Sequence, residues 1–169
     1  MKETNNQAFI DGQNLFLGTI TSKEPWKVDL FRFREYLRQK YDVGRAYYFI
    51  GCRDGRLQEL YDRIREAGFV LIFRAHEVGA VSSKKGNVDT DIVFMMMKNF
   101  HEGKEKEKIL LVSGDGDYYK TVKYLKEKDR LAKVLIPVRN KASSLYRKIN
   151  NANYSFLDDS DIKKKIEKK

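Results

Sequence analysis

Five short apolar runs are spaced along the chain, and stretches with helical periodicity lie between them. Residues 7–11 (with Ala8, Phe9 and Ile10), 43–50, 69–73, 108–112 and 131–137 are rich in aliphatic and aromatic side chains and have the length of strands. Residues 29–39, 57–67, 88–100, 118–128 and 142–150 read as helices, the first capped by Asp29 and the second stopping at Gly68. Residues 154–157 add a sixth, edge strand. Parallel strands need crossover connections, and helices supply them. The alternation therefore predicts an α/β fold whose parallel sheet is covered on both faces, with ligands at the carboxyl ends of the strands. Residues 74–87, with Gly79, Ser82, Ser83 and Gly86, predict an excursion over that edge, such as a small hairpin, and residues 163–169 a disordered tail or frayed helix.

The acids fall where such a sheet would use them. Asp11 ends the first strand in Phe9-Ile10-Asp11-Gly12-Gln13-Asn14. Asp89 and Asp91 open the long helix after Lys84-Lys85-Gly86-Asn87-Val88, and Asp115 and Asp117 follow the fourth strand in Ser113-Gly114-Asp115-Gly116-Asp117-Tyr118. If the first and fourth strands are neighbours at a topological switch point, these carboxylates converge. Gly114 and Gly116 would permit backbone angles closed to other residues, aiming both acids of the loop at one point. The same loop also reads as plain turn chemistry, with Asp115 shaping the turn and Asp117 capping the next helix. At 100° per residue Asp89 shares a face with Ile92, Val93, Met96 and Phe100, whereas Asp91 points away beside Lys98. An acid on the core-facing stripe is costly unless something binds it, so Asp89 is the expected ligand and Asp91 a supporting charge at the helix terminus. Of the loop pair, Asp115 is the firmer ligand.

Clustered carboxylates repel at neutral pH, and a hard divalent cation relieves that repulsion. Oxygen donors without Cys or His favour Mg²⁺ or Mn²⁺ over zinc. Asn14 can support the site by hydrogen bonding or cap the short turn 15–20; Ser113 can order a ligand or end its strand. Lys84 and Lys85 at the mouth, then Lys120, Arg139 and Lys141, are candidate phosphate contacts, and Tyr118 a candidate platform for a stacked base or simply core. His76 has no partner at catalytic spacing.

Composition narrows the partner. Among 169 residues, 34 Lys and Arg against 24 Asp and Glu leave a net charge of +10, which favours a polyanion. In residues 160–169, five lysines against Asp161 and Glu167 account for +3, so the body keeps +7. The single Cys52 permits no internal disulfide, suits a reducing cytoplasm and reads as a small apolar residue at a strand end. The longest apolar run, residues 92–97, is too short to cross a bilayer, so no membrane association is expected.

The three motifs, in order over residues 7–157, resemble those of the NYN (LabA-like) domain family of the PIN-like nuclease superfamily. The resemblance implies a three-layer α/β/α sandwich with a central, mostly parallel sheet of five or six strands. It assigns residues 1–157 to that domain and leaves 158–169 as a basic tail. It further implies a Mg²⁺- or Mn²⁺-dependent endoribonuclease centre in which Asp11, Asp89, Asp115 and Asp117 are the catalytic metal ligands, with Asn14 and Ser113 in support. The partner would be RNA, in single-stranded form, and a homodimer stays open. Relatives follow the second loop acid with an aromatic, an apolar residue and proline-leucine; here the run is Tyr118-Tyr119-Lys120-Thr121-Val122, which bears on substrate preference. Some relatives are described chiefly as regulators, so a non-catalytic RNA-binding module is the alternative. An aspartyl phosphohydrolase is a third, since Asp-Gly-Asp after a strand also suits that chemistry.

Overall fold

The computed structural model describes residues 6–74 and 88–169. Six strands, β1 (Asn6–Asp11), β2 (Val43–Ile50), β3 (Val70–Phe73), β4 (Ile109–Val112), β5 (Leu131–Ile136) and β6 (Tyr154–Phe156), form one sheet in the order β3-β2-β1-β4-β5-β6. Every pairing is parallel. β1 and β4 pair directly, Phe9 opposite Leu111 and Ile10 opposite Val112. The chain winds from β1 outward through β2 to β3, then returns to β4 and winds the other way. The crevice beside the carboxyl ends of β1 and β4 is therefore the switch point.

Side-chain alternation along the strands divides the interior in two. Ala8, Ile10, Leu110 and Val112 point to one face, where they pack with Leu15 of α1 (Gly12–Ile20), Phe33 and Leu37 of α2 (Leu30–Tyr41) and Ile64 of α3 (Gln58–Glu66). Phe9, Ile109 and Leu111 point to the other, against Ile92 and Met96 of α4 (Asp89–Glu102) and Val122 and Leu125 of α5 (Tyr119–Glu127). Both faces are thus covered, giving the three-layer α/β/α sandwich that near-continuous apolar strands require.

The helices differ from expectation in three places. Residues 15–20 belong to the nine-residue α1, and the residue capping it is Asp11, whose carboxylate accepts from the Asn14 amide. Residues 142–150 hold only a short 3₁₀ segment, Ser144–Lys148: the spacing of Ala142, Leu145, Tyr146 and Ile149 still buries Tyr146 and Ile149, but the Ser143 hydroxyl caps the segment at one end and Ile149 is already extended at the other. The basic C-terminus folds as α6 (Ser160–Ile166) and docks on α2. Ile162 and Ile166 stand one turn apart among the lysines and face the core; Ile166 is fully buried, worth about 1.5–3 kcal/mol. The Asp29 amide donates to Ile166 O at 2.8 Å and the Lys168 amide to Lys27 O at 2.8 Å, fastening both sides of this helix end to the chain before α2. Cys52 is exposed in the turn after β2 rather than packed at a strand end, since β2 stops at Ile50.

Candidate metal centre

The carboxyl edge of β1 and β4 opens on a cleft of about 350 Å³ whose lining includes Asp11, Asn14, Asp89, Asp115, Asp117 and Lys141. Asp11 is carried to its floor by the last position of β1 and is only 4% exposed. Its Oδ1 accepts from the Asn14 amide at 3.0 Å, the helix-capping bond of α1. Gly12 must follow: a Cβ there would meet Tyr48 Cε1 at 2.5 Å and Phe49 O at 2.6 Å. Asn14 then reaches across the crevice, its Oδ1 accepting from the Gly114 amide at 2.9 Å. That bond ties the first motif to the third, 100 residues later.

After β4 the loop is held from several sides. The buried Ser113 Oγ accepts from the Asp115 amide at 3.1 Å, Asp115 Oδ1 accepts from the Asp117 amide at 3.0 Å, and the Tyr146 hydroxyl donates to Asp115 O at 2.7 Å. Asp115 therefore caps the 3₁₀ turn Gly116–Tyr118, within which Asp117 lies, and α5, which Asp117 was expected to cap, has no side-chain cap bond. Gly114 and Gly116 serve by size, and neither has a positive φ. A Cβ on Gly116 would fall 2.5 Å from Ser143 Oγ, and one on Gly114 would fall 3.0 Å from Ile136 Cγ2.

Asp89 is the first residue of α4, on the same side as the buried Ile92 and Met96. Asp89, Asp115 and Asp117 each offer a carboxylate oxygen, and these oxygens lie within 4.8 Å of one another. Asp11 sits below this trio rather than in it, connected through Tyr118, whose hydroxyl is 3.0 Å from Asp11 Oδ2 and 2.7 Å from Asp89 Oδ1. Burial is the main cause pushing the Asp11 carboxyl above the usual carboxylate range, with the charges of Asp89 and Asp115 adding to it and the Asn14 and Tyr118 hydrogen bonds opposing it. The neighbouring Asp115 charge is the main cause raising Asp117. The Tyr118 phenol is pushed far upward, first by burial and then by the two carboxylates it touches, so it stays protonated. An all-oxygen set of like charges at this separation fits a hard divalent cation.

Other expected site residues divide. Asp91 is half-buried on α4 and does not line the cleft, as its helical angle requires. Tyr118 cannot stack on a base: its ring is fully buried under α4 and α5, and only its hydroxyl reaches the acids. Lys120 is exposed on α5, two residues past the turn Gly116–Tyr118, and is not among the residues lining the cleft. Lys141 does line the cleft, its Nζ donating to Thr21 Oγ1 and, at 3.1 Å, to Thr21 O. Arg139 pairs with Asp159 at 2.6 Å and lies 4.0 Å from the Phe156 ring centroid. Lys84, Lys85 and His76, with the expected excursion, lie outside the described residues. Sequence reasoning missed the cleft walls, Gln13, Leu17, Pro137 and Val138. Gln13 and Leu17 are spaced one turn apart on α1, a signal visible only once residues 12–20 are seen to form a helix.

A parallel α/β sandwich with aspartates gathered over its central switch point defines the domain as one of the PIN-like nuclease class. The chain belongs to the NYN domain family, whose model matches residues 7–158. It is similar to the Low amplitude and bright protein LabA of Synechococcus elongatus, at 28% identity over 95% of this chain and 86% of that protein. Its fold is also that of a crystallised protein of unknown function from Vibrio parahaemolyticus, with a TM-score of 0.73 at 21% identity over 94% of this chain and 96% of the other.

Proposed function

We propose that the protein is a metal-dependent endoribonuclease acting on single-stranded RNA in the cytoplasm. The observation that carries this reading is the trio Asp89, Asp115 and Asp117, with oxygens inside 4.8 Å, over a cleft that also holds Lys141. NYN domains are generally nucleases, and the family usually employs divalent metals. Among the described residues, no helix is long and apolar enough to cross a membrane.

In this reading Asp89, Asp115 and Asp117 hold Mg²⁺ or Mn²⁺, with Asp11 as the fourth acid at the floor. A bound divalent ion supplies charge that offsets a developing phosphodiester oxyanion and makes a water a better nucleophile. The protein's own groups do the positioning. Ser113 and Tyr146 hold the Asp115 backbone, and Asn14 keeps the two central strand ends at a fixed spacing. Lys141 offers a cation to a substrate phosphate, while Leu17, Pro137 and Val138 give the cleft lining an apolar surface for a sugar or base. Water attacks phosphorus, the P–O3′ bond breaks, and the products carry a 5′-phosphate and a 3′-hydroxyl. The body charge left after the C-terminal lysines are set aside supports attraction of RNA.

The test is incubation with single-stranded RNA and Mn²⁺. Cleavage that stops with chelator and with Asp115→Asn is expected; cleavage unaffected by either would refute the assignment, and salt-sensitive RNA binding without cleavage under any metal would favour a non-catalytic module.

A further inference from the structure

Tyr118 places one hydroxyl against two carboxylates that come from different parts of the chain, Asp11 at 107 residues' separation and Asp89 at 29. A neutral phenol carries one proton, and both oxygens lie within hydrogen-bond distance of it, so the two carboxylates share a single donor. The ring is fully buried among Ile92, Met96, Val122 and their neighbours, so the hydroxyl is not free to swing away. It is also rigidly connected to the acidic loop, because Tyr118 ends the 3₁₀ turn that begins at Gly116 and α5 starts at the next residue. The end of β1, the start of α4 and the loop after β4 thus meet at a single oxygen. An aromatic ring at this position would fill the core equally well without that oxygen, so packing does not account for it.

We propose that Tyr118 is the positioning residue of the metal centre: its hydroxyl fixes Asp89 beside Asp115 and Asp117 and holds Asp11 beneath them, so that the oxygens are gathered before a cation arrives. The inference rests on the metal-centre reading above. Bringing like charges together ahead of binding is unfavourable for the empty site and favourable for the filled one, which is how a fixed oxygen cage gains affinity. Removing the hydroxyl takes away one of the contacts that hold Asp89 toward Asp115 and Asp117 and leaves the buried Asp11 without the Tyr118 donor.

The experiment is Mn²⁺ titration by calorimetry and by electron paramagnetic resonance on the full chain, comparing wild type, Tyr118→Phe and Asp89→Asn, with thermal melting of each metal-free protein as the control for folding. Tyr118→Phe keeps the ring and its packing. It is expected to melt like wild type, to bind Mn²⁺ roughly tenfold more weakly, in line with other residues that orient metal ligands, and to recover RNA cleavage at saturating Mn²⁺. A defect in packing alone would not be rescued by added metal. If Asp89→Asn loses Mn²⁺ binding while Tyr118→Phe keeps wild-type affinity, the positioning role is overturned and the metal centre stands. If Asp89→Asn also binds like wild type, the metal centre itself is wrong.

Discussion

The two edges of the sheet treat polar groups in opposite ways. At the amino edge, unlike groups are matched. Asn6 donates to Tyr41 O at 2.7 Å and accepts from the Lys108 amide at 2.9 Å, Asn99 donates to Gln7 Oε1 at 2.5 Å, and Lys108 pairs with Asp129 at 2.8 Å. At the carboxyl edge, like groups are forced together, with Asp115 raising Asp117, and Asp89 and Asp115 both adding to the rise at Asp11. The first arrangement lowers the free energy of the fold. The second raises it, and the cation proposed above would offset that cost. On the proposed reading stability is concentrated at one edge and chemistry at the other, as the geometry of a parallel sheet favours.

The sharpest way to break this contrast is to neutralise one acid of the trio. Asp115→Asn should lower Mn²⁺-supported RNA cleavage by roughly 10²–10³-fold while the protein still folds, measured as initial rates on a labelled single strand. A variant that keeps wild-type rates would place the chemistry elsewhere. At the opposite edge, Asn6→Ala removes partners of both the Lys108 amide and Tyr41 O. It should lower unfolding free energy by about 1–3 kcal/mol in urea titration, with cleavage per folded molecule unchanged.

A gentler test uses pH. The folded pKa values of Asp11 and Asp117 are raised, so the fold prefers their protonated forms. Their stabilising contribution is complete below the ordinary carboxylate range and is lost as pH rises through the raised values. Chelated protein should thus lose melting temperature on going upward from about pH 4. Mn²⁺ should remove the decline, and Asp11→Asn should reduce it. Glu35 and Asp54 do not mimic this trend, since Arg38 and Arg56 hold them at about 2 and their contribution changes only in stronger acid. A wild-type and an Asp11→Asn profile that run parallel would show that Asp11 carries no such strain.

The smallest expected effect separates two lysines. Lys141→Ala should weaken RNA binding several-fold and lower the salt slope by about one, because one phosphate contact is lost. Lys120→Ala should change neither, since it lies outside the cleft. Equal effects would mean that the basic surface acts as a whole and the cleft does not select its cations.

All six strands were legible in the apolar runs, and so was the edge on which Asp11, Asp89 and Asp115 stand, because strand alternation and helical angle are local properties of the chain. The separation of Asp89 from Asp91 came from the same arithmetic. What misled was local chemistry with two solutions. Asp11 looked like a strand-end acid and is also the cap of α1, while Asp117 does not cap α5 and Asp115 caps the 3₁₀ turn before it. The loop glycines looked like angle makers, and they are instead places of close approach, where a Cβ would fall 2.5 Å from Ser143 Oγ at Gly116 and 3.0 Å from Ile136 Cγ2 at Gly114.

The sequence by itself determined the layered α/β architecture, the motif order and the set of candidate acids, since each depends on residues within a few positions of one another. Tertiary structure decided which of those acids share a centre, that the Tyr118 hydroxyl joins Asp11 to Asp89, that Asn14 bonds Gly114, and that the lysine-rich end docks through Ile166. Those facts depend on contacts between segments tens of residues apart, and such contacts exist only once the sheet order has brought β1 beside β4 and α6 beside α2.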